Sequence, residues 1–310
     1  MFKLKDNYIY MPLQGRIGNQ LFQYAFARAI QQEKGNNTKI LFDDSDVLRC
    51  KWENSLCTYD LPNVEYIHSS IAKKVYFFSY QALVRNFYKL ITKRMDYNEK
   101  FLFEKKIQNF INKRGIFLCE NGFISPHLKY SRPVYLEGYF QSEKYFSTYQ
   151  NDIKNILKKN INVKLKKYPN INKIRSRNTV CVSIKIEHNV GNSMYSVCDM
   201  NYWKRSLDYI IRNVENPYFF ICSDNVEYVL EHLIDTSKYE FTVQDKMSSV
   251  DISLLAMSEC KYFVIGNTTF GWWAQYLSDS KDKIVVAPSK WMTVDMPIDI
   301  YQEEWHLIRV

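Results

Sequence analysis

The chain has 310 residues, 46% hydrophobic and 24% charged, with a formal net charge of +9. That length predicts two domains of roughly 150 residues each, and no apolar run approaches the ~20 residues a membrane span needs. Seven cysteines scattered from Cys50 to Cys260, none in a Cys-x-x-Cys pair, exclude a disulfide framework and a structural zinc site.

The N-terminus, Met-Phe-Lys-Leu-Lys-Asp, lacks an apolar core, so no secretory peptide is expected and the predicted location is cytoplasmic. The positive charge is uneven: residues 151–177 carry nine Lys or Arg against one acid, Asp152. A second basic stretch, Lys73 to Arg114, is interleaved with Tyr76, Phe77, Phe78, Tyr80, Phe87 and Tyr88. That mixture suits a membrane surface or an acidic amphipathic partner, so peripheral contact at the inner face of the membrane is expected. No nucleic-acid motif accompanies the charge, and no nucleic-acid partner is expected.

In chain order, residues 8–14 read as a buried strand and Gly15-Arg16-Ile17-Gly18-Asn19-Gln20 as the turn after it. A helix follows, with Leu21, Tyr24, Ala25, Ala29 and Ile30 on one face. Glycines in a strand-to-helix turn let backbone approach a ligand closely, and Asn19 and Gln20 offer donors and acceptors there. The third glycine of a dinucleotide fingerprint is missing, which leaves a Rossmann dehydrogenase unsupported. Lys39 to Phe42 is the next strand, ending in Asp43-Asp44-Ser45-Asp46. Its Asp-x-Asp is read as a strand-end turn and not as a metal site.

Residues 71–113 read as mainly helical, 135–142 as a strand and turn, and Glu143 to Lys159 as a helix. The basic segment up to Arg177 is the expected junction between a domain of residues 1–165 and one of residues 166–310. Thr179 to Ile186 is a β-branched strand, on which Cys181, Ser183, Lys185 and Glu187 share a face. The helix Asn201 to Asn213 precedes the strand Tyr218 to Cys222, which ends in Ser223-Asp224-Asn225. A helix from Asn225 to Leu233, a strand near 239–243, a helix from Asp251 to Ser258 and a strand from Lys283 to Ala287 complete the alternation.

Between the last two lies Tyr262 to Ile265, an apolar run into Gly266-Asn267-Thr268-Thr269-Phe270-Gly271-Trp272-Trp273-Ala274. Strand, tight turn and helix in succession place Asn267, Thr268 and Thr269 at a helix N-terminus, where they either cap the helix or hold phosphate oxygens. Alternating strands and helices in both halves predict an α/β fold with parallel sheets. Ligands in such folds sit beyond the carboxyl ends of the strands, where Asn19, Lys185, Asp224 and Asn267 all fall.

The stretches 15–25, 138–142, the 220–224 strand end and Asn267 to Ala274 resemble the bacterial α-1,2-fucosyltransferases of glycosyltransferase family 11, almost end to end. The resemblance implies two facing Rossmann-like domains of GT-B-like arrangement. It implies an N-terminal domain on the acceptor side and a C-terminal domain holding GDP-fucose. Inverting transfer to a galactoside hydroxyl follows, without metal or other cofactor, the acceptor being a glycan or lipid-linked oligosaccharide of a bacterial surface polymer. The donor-binding set carried over is Gly18, Asn19, Gln20, Ser183, Lys185, Ser223, Asp224, Asn267, Thr268 and Thr269.

One motif departs from the family. Where it carries His-x-Arg-Arg-x-Asp, this chain has Ser183, Lys185, Ile186 and His188 at the informative positions; a shift of two residues would instead set Lys185 and Glu187 at the histidine and first arginine. Lysine keeps a positive charge but loses the planar, two-pronged grip on phosphate.

Lys185, with Asn267 to Thr269, is the expected stabiliser of the leaving diphosphate. Asp224 would select guanine by accepting from N1–H and the amino group, its rival role being a helix cap. Glu187, His188 and Asp43 are the candidate general bases, none singled out. A transferase using another nucleotide sugar and a non-catalytic glycan-assembly partner are the competing readings.

Overall fold

In the computed structural model, residues 7–35, 37–68, 80–130, 132–186 and 193–310 are described. The chain divides into two compact units. One comprises the residues up to Leu157 together with Asp295–Ile300, and the other Lys158–Val294 with Tyr301–Val310.

The first unit has β1 (Tyr8–Pro12), β2 (Lys39–Asp43), β3 (Val64–Ile67), β4 (Ile116–Cys119) and β5 (Val134–Gly138). They form one parallel sheet in the order β3-β2-β1-β5-β4. Parallel pairing needs a crossover, and the helix Ile17–Lys34 supplies the one from β1 to β2, burying Leu21, Phe22, Ala25, Phe26, Ala29 and Ile30. Phe26 packs against Phe140 and Tyr145 at ring-centroid distances of 4.6 and 4.7 Å. Gly138 ends β5 at φ +155, where a Cβ would stand 1.8 Å from the Cys119 carbonyl oxygen on β4, so the position admits only glycine. The returning segment Asp295–Ile300 is tied in by Asp299, whose carboxylate accepts from Ser142 Oγ at 3.0 Å and Lys144 Nζ at 2.8 Å.

The second unit has β6 (Asn178–Ile184), β7 (Pro217–Ser223), β8 (Phe241–Val243), β9 (Tyr262–Ile265), β10 (Val285–Pro288) and β11 (His306–Ile308). Their order, β11-β10-β9-β6-β7-β8, is also parallel throughout. Counted from β6, it is the 3-2-1-4-5-6 order of dinucleotide-binding sheets, with its reversal between β6 and β9. The strands are apolar runs because helices cover both faces. Val180, Val182, Phe219, Ile221, Val264 and Val286 form the core with Trp203 and Leu207 of the helix Met200–Asn213.

Several elements differ from the sequence reading. The turn expected over 15–20 is already helical from Ile17, since Asn19 and Gln20 donate to the Arg16 carbonyl and close the first turn. The helix expected over 143–159 is two single 3-10 turns, Glu143–Tyr145 and Ser147–Tyr149, before the helix Gln150–Leu157. Ser142 caps the first of them by accepting from Lys144 N, and Phe146, at φ −143 and ψ 10, interrupts the ladder. Within 71–113 the described helices are Tyr80–Thr92 and Tyr97–Asn112, residues 71–79 lying outside the described set. The short strands β3, β4 and β11 had no counterpart in the sequence reading. All seven cysteines are free thiols. Among the described residues, no helix is long and apolar enough to cross a membrane.

Candidate active site

In the second unit, register brings the site residues together. Ser183 pairs with Ile265 and Ile184 with Ser223, so Lys185, Asp224 and Gly266 to Thr268 leave three neighbouring strands side by side at their carboxyl ends. The helix Thr269–Leu277 starts there and points its amino end, the positive end of its dipole, at this edge. Thr268 is its cap, with Oγ1 accepting from Gly271 N at 3.2 Å. Gly271 lets that helix lie on the sheet: a Cβ there would stand 3.1 Å from Ser183 Oγ and 3.2 Å from Ile265.

Side chains at this edge divide into those that build it and those that present themselves. Ser183 is buried under the helix. Asn267 is buried too, its amide donating to the carbonyls of Tyr195 at 3.0 Å and Trp291 at 2.9 Å, so it fastens two loops to the turn. Lys185 and Thr268 are half-buried and Asp224 is exposed. Asp224 Oδ1 accepts from the backbone N–H of Ile186 at 2.7 Å, which ties the end of β7 to that of β6. The cap of the next helix is Asn225, accepting from Tyr228 N at 2.9 Å, so the cap role weighed for Asp224 belongs to its neighbour. Ser223 Oγ accepts from Asn225 N at 3.1 Å. Two candidate bases, Glu187 and His188, lie outside the described residues.

In the first unit the residues after β1 are mostly structural. Gly18 is buried in the first helical turn. Gln20 is fully buried; its amide donates to the carbonyls of Gly15 and Glu53, each at 2.9 Å, and its oxygen accepts from Ser55 N at 2.9 Å. Asn19 is half-buried and accepts from the Gln141 amide at 2.9 Å. Asp43 is not presented to a substrate: it is 1% exposed, with Tyr10 OH on one oxygen at 2.6 Å and Ser45 N on the other at 3.0 Å. Of the Asp-x-Asp carboxylates, Asp44, equally buried, uses one oxygen, Oδ2, which meets Asn54 Nδ2 and His68 Nδ1, each at 2.8 Å. Its buried Oδ1 has no hydrogen-bond partner among the described residues, and Asp46 is ion-paired with Arg49 at 3.2 Å.

A charged cluster that sequence reading did not single out lies at the ends of β4 and β5. Glu137 meets Arg85 at 2.6 Å and Lys89 at 2.9 Å and accepts from Tyr135 OH. Burial pushes its carboxyl up, but the two cations outweigh burial and hold it below the usual range. Glu104, 1% exposed, accepts from Tyr88 OH and from Glu120 N. Burial pushes it up to about 7, against the opposing pull of those hydrogen bonds and of Lys100. Arg85 and Lys89 stand one turn apart on a single helix, but no spacing rule links them to 104 and 137, so only the fold completes the cluster.

With this geometry in place, comparison with known proteins identifies the chain's relatives. Residues 8–309 match the profile of Glycosyl transferase family 11. The chain belongs to that family. Among curated proteins, the O-antigen biosynthesis glycosyltransferase WbnK of Escherichia coli is 25% identical over 96% of this chain and 99% of its own. The α-1,2-colitosyltransferase of Escherichia coli is 25% identical over 90% of each chain. In fold, the chain is similar to the glycosyl transferase family 9 structure from Veillonella parvula, with a TM-score of 0.50 at 10% identity, covering 99% of this chain and 88% of that one. The architecture is GT-B-like, with two Rossmann-like parallel-sheet units, and the chain is a glycosyltransferase.

Proposed function

We propose that this glycosyltransferase moves L-fucose from GDP-fucose to a galactoside hydroxyl, forming an α-1,2 linkage with inversion, in the assembly of a bacterial surface glycan such as an O-antigen. The carrying observation is the convergence of Lys185, Asp224 and the capped helix amino end at the reversal point of the β6–β9 sheet. There the diphosphate would meet the helix dipole and the backbone amides, with the Lys185 ammonium as counter-charge, so that negative charge growing on the leaving group is met without a metal. Asp224 would receive guanine through its exposed carboxylate. In the second unit Ser223 and Thr269 shape this strand-end edge and Ser183 and Asn267 hold the backbone that presents it; in the first unit Gly18 shapes the edge after β1 and Gln20 holds its backbone. The acceptor falls to the first unit and donor binding to the second. The reaction would run at the cytoplasmic face of the inner membrane, where a lipid-linked acceptor is met.

A second reading, a transferase for another nucleotide sugar, is favoured by the colitosyltransferase relative together with lysine at position 185. Melting curves with GDP, GDP-fucose, UDP-galactose and ADP separate the nucleotides, because only a bound one raises the midpoint. Product analysis by NMR with lactose as acceptor then reports the linkage. Stabilisation by UDP or ADP but not GDP overturns the fucose reading, and loss of turnover in EDTA with rescue by manganese or magnesium overturns the metal-free mechanism.

A further inference from the structure

The carboxyl end of the first sheet holds a cavity of about 390 Å³, within the range of small-ligand pockets. Its walls include Gln14 after β1, Trp52 after β2, Glu120 after β4 and Tyr139 after β5, with Tyr88 and Lys100 from the two helices before β4. We propose that this cavity is a binding subsite for a neutral pyranose, with Trp52 as its stacking face. Only the naming of that pyranose as the glycan acceptor rests on the transferase reading above.

Position is the first ground. The sheet order reverses between β1 and β5, and the cavity opens beyond the carboxyl ends of those strands, where open α/β sheets take their ligands.

Chemistry is the second. A pyranose offers apolar C–H faces and a rim of hydroxyls, so it asks for an aromatic surface with donors and acceptors around it. Trp52 keeps 38% of its surface exposed, an unusual outlay for an indole that has a cavity beside it. The charged walls are already engaged: Lys100 with Glu120, and Lys89, together with Arg85, on Glu137. A phosphate would have to break these pairs, whereas hydroxyls can donate to the carboxylates and accept from the ammonium groups while the pairs persist.

Rigidity is the third. The helix Ser45–Arg49 ends with Lys51 at φ +57, Lys51 N donating to Leu48 O at 2.9 Å and Trp52 N to Val47 O at 3.0 Å. That is a Schellman cap with lysine where glycine is usual, and it fixes the backbone of Trp52. Beyond Trp52, the buried Gln20 amide clamps Glu53 and Ser55, and Asn54 donates to Asp44. Arg16 lies over the indole, 6.0 Å from its centroid. A platform held on both sides loses little freedom when a sugar stacks on it.

Saturation-transfer NMR on the full chain with lactose, N-acetyllactosamine and maltose tests the subsite, with GDP melting shifts measured on the same samples. At least one sugar is expected to receive saturation. Trp52→Ala should weaken that binding about tenfold, Trp52→Phe should restore part of it, and Glu120→Gln should weaken it less. No transfer to any of the sugars, or equal binding by parent and folded Trp52→Ala, overturns the proposal. Trp52-dependent sugar binding without a GDP shift upholds the subsite while the donor reading falls.

Discussion

Asn19 and Gln141, far apart in the chain, are joined by a 2.9 Å hydrogen bond from the Gln141 amide to the Asn19 side-chain oxygen. One follows β1 and the other β5, so the bond spans the two strand ends where the first sheet reverses its order. Asn19 reaches that position over Gly15, which sits at φ +71, and a Cβ on Gly15 would stand 2.2 Å from Asn19 Nδ2.

Gly15→Ala is therefore expected to lose about 2 kcal/mol of stability, from the left-handed backbone and the displaced Asn19 together. Urea unfolding measures it. A variant within about 0.5 kcal/mol of the parent would mean that the turn relaxes without cost.

At the second sheet, Asn267 and Lys185 should separate structure from binding. Asn267→Ala strands the Tyr195 and Trp291 carbonyls and is expected to cost about 2 kcal/mol of stability. Lys185→Ala should leave the melting temperature nearly unchanged and weaken GDP binding about tenfold or more, the worth of a charge-assisted bond. Calorimetric titration with GDP on both folded variants decides it, and unchanged affinity in Lys185→Ala removes that lysine from the diphosphate site.

Glu104 makes stability depend on pH. With its carboxyl at about 7 in the folded chain and an ordinary value of 4.5, the folded chain keeps a proton that the unfolded chain has released across that window. Stability then falls as pH rises from 4.5 to 7, and the penalty is complete above 7. Glu104→Gln keeps an acceptor for Tyr88 without the charge, so its stability relative to the parent should rise between pH 5 and pH 8 by on the order of 2 kcal/mol. Urea titrations at the two pH values report the difference, and a flat difference would return Glu104 to an ordinary carboxyl.

Arg85→Ala leaves the buried Glu137 with Lys89 as its remaining cation and is expected to cost about 3 kcal/mol at pH 7. In the parent the carboxyl sits below the usual range, so its contribution is present above the ordinary value and is lost as pH falls through the depressed one. In the variant the carboxyl should protonate earlier, so the deficit shrinks on acidification toward pH 5. A deficit that grows on acidification would assign the loss to packing of the Arg85 stem instead.

Much of the fold was legible because β7 and β9 are apolar runs ended by Ser-Asp-Asn and Gly-Asn-Thr, a pattern that sheet burial on both faces demands, and because β6 is rich in β-branched residues. β4 and β11 were not, being four and three residues long, too short for any period to declare itself. The edges of the candidate site were legible from strand ends; the roles of Gln20 and Asn267 were not. A carboxamide serves a ligand or a backbone carbonyl equally well, and only burial with named partners distinguishes the two. The cluster of Arg85, Lys89, Glu104 and Glu137 had no local signature, since its members come from two helices and a strand.

The return of Asp295–Ile300 to the first unit sets an order of events during synthesis. When the residues up to Leu157 have left the ribosome, Ser142 and Lys144 still lack Asp299, and Gly122 lacks Pro297, whose Cβ would lie 2.9 Å from a side-chain carbon placed there. Those partners emerge only after nearly the whole second unit has been translated. The nascent first half must therefore wait with an unfinished surface, exposed to chaperones and proteases, until the last stitch of its own chain arrives.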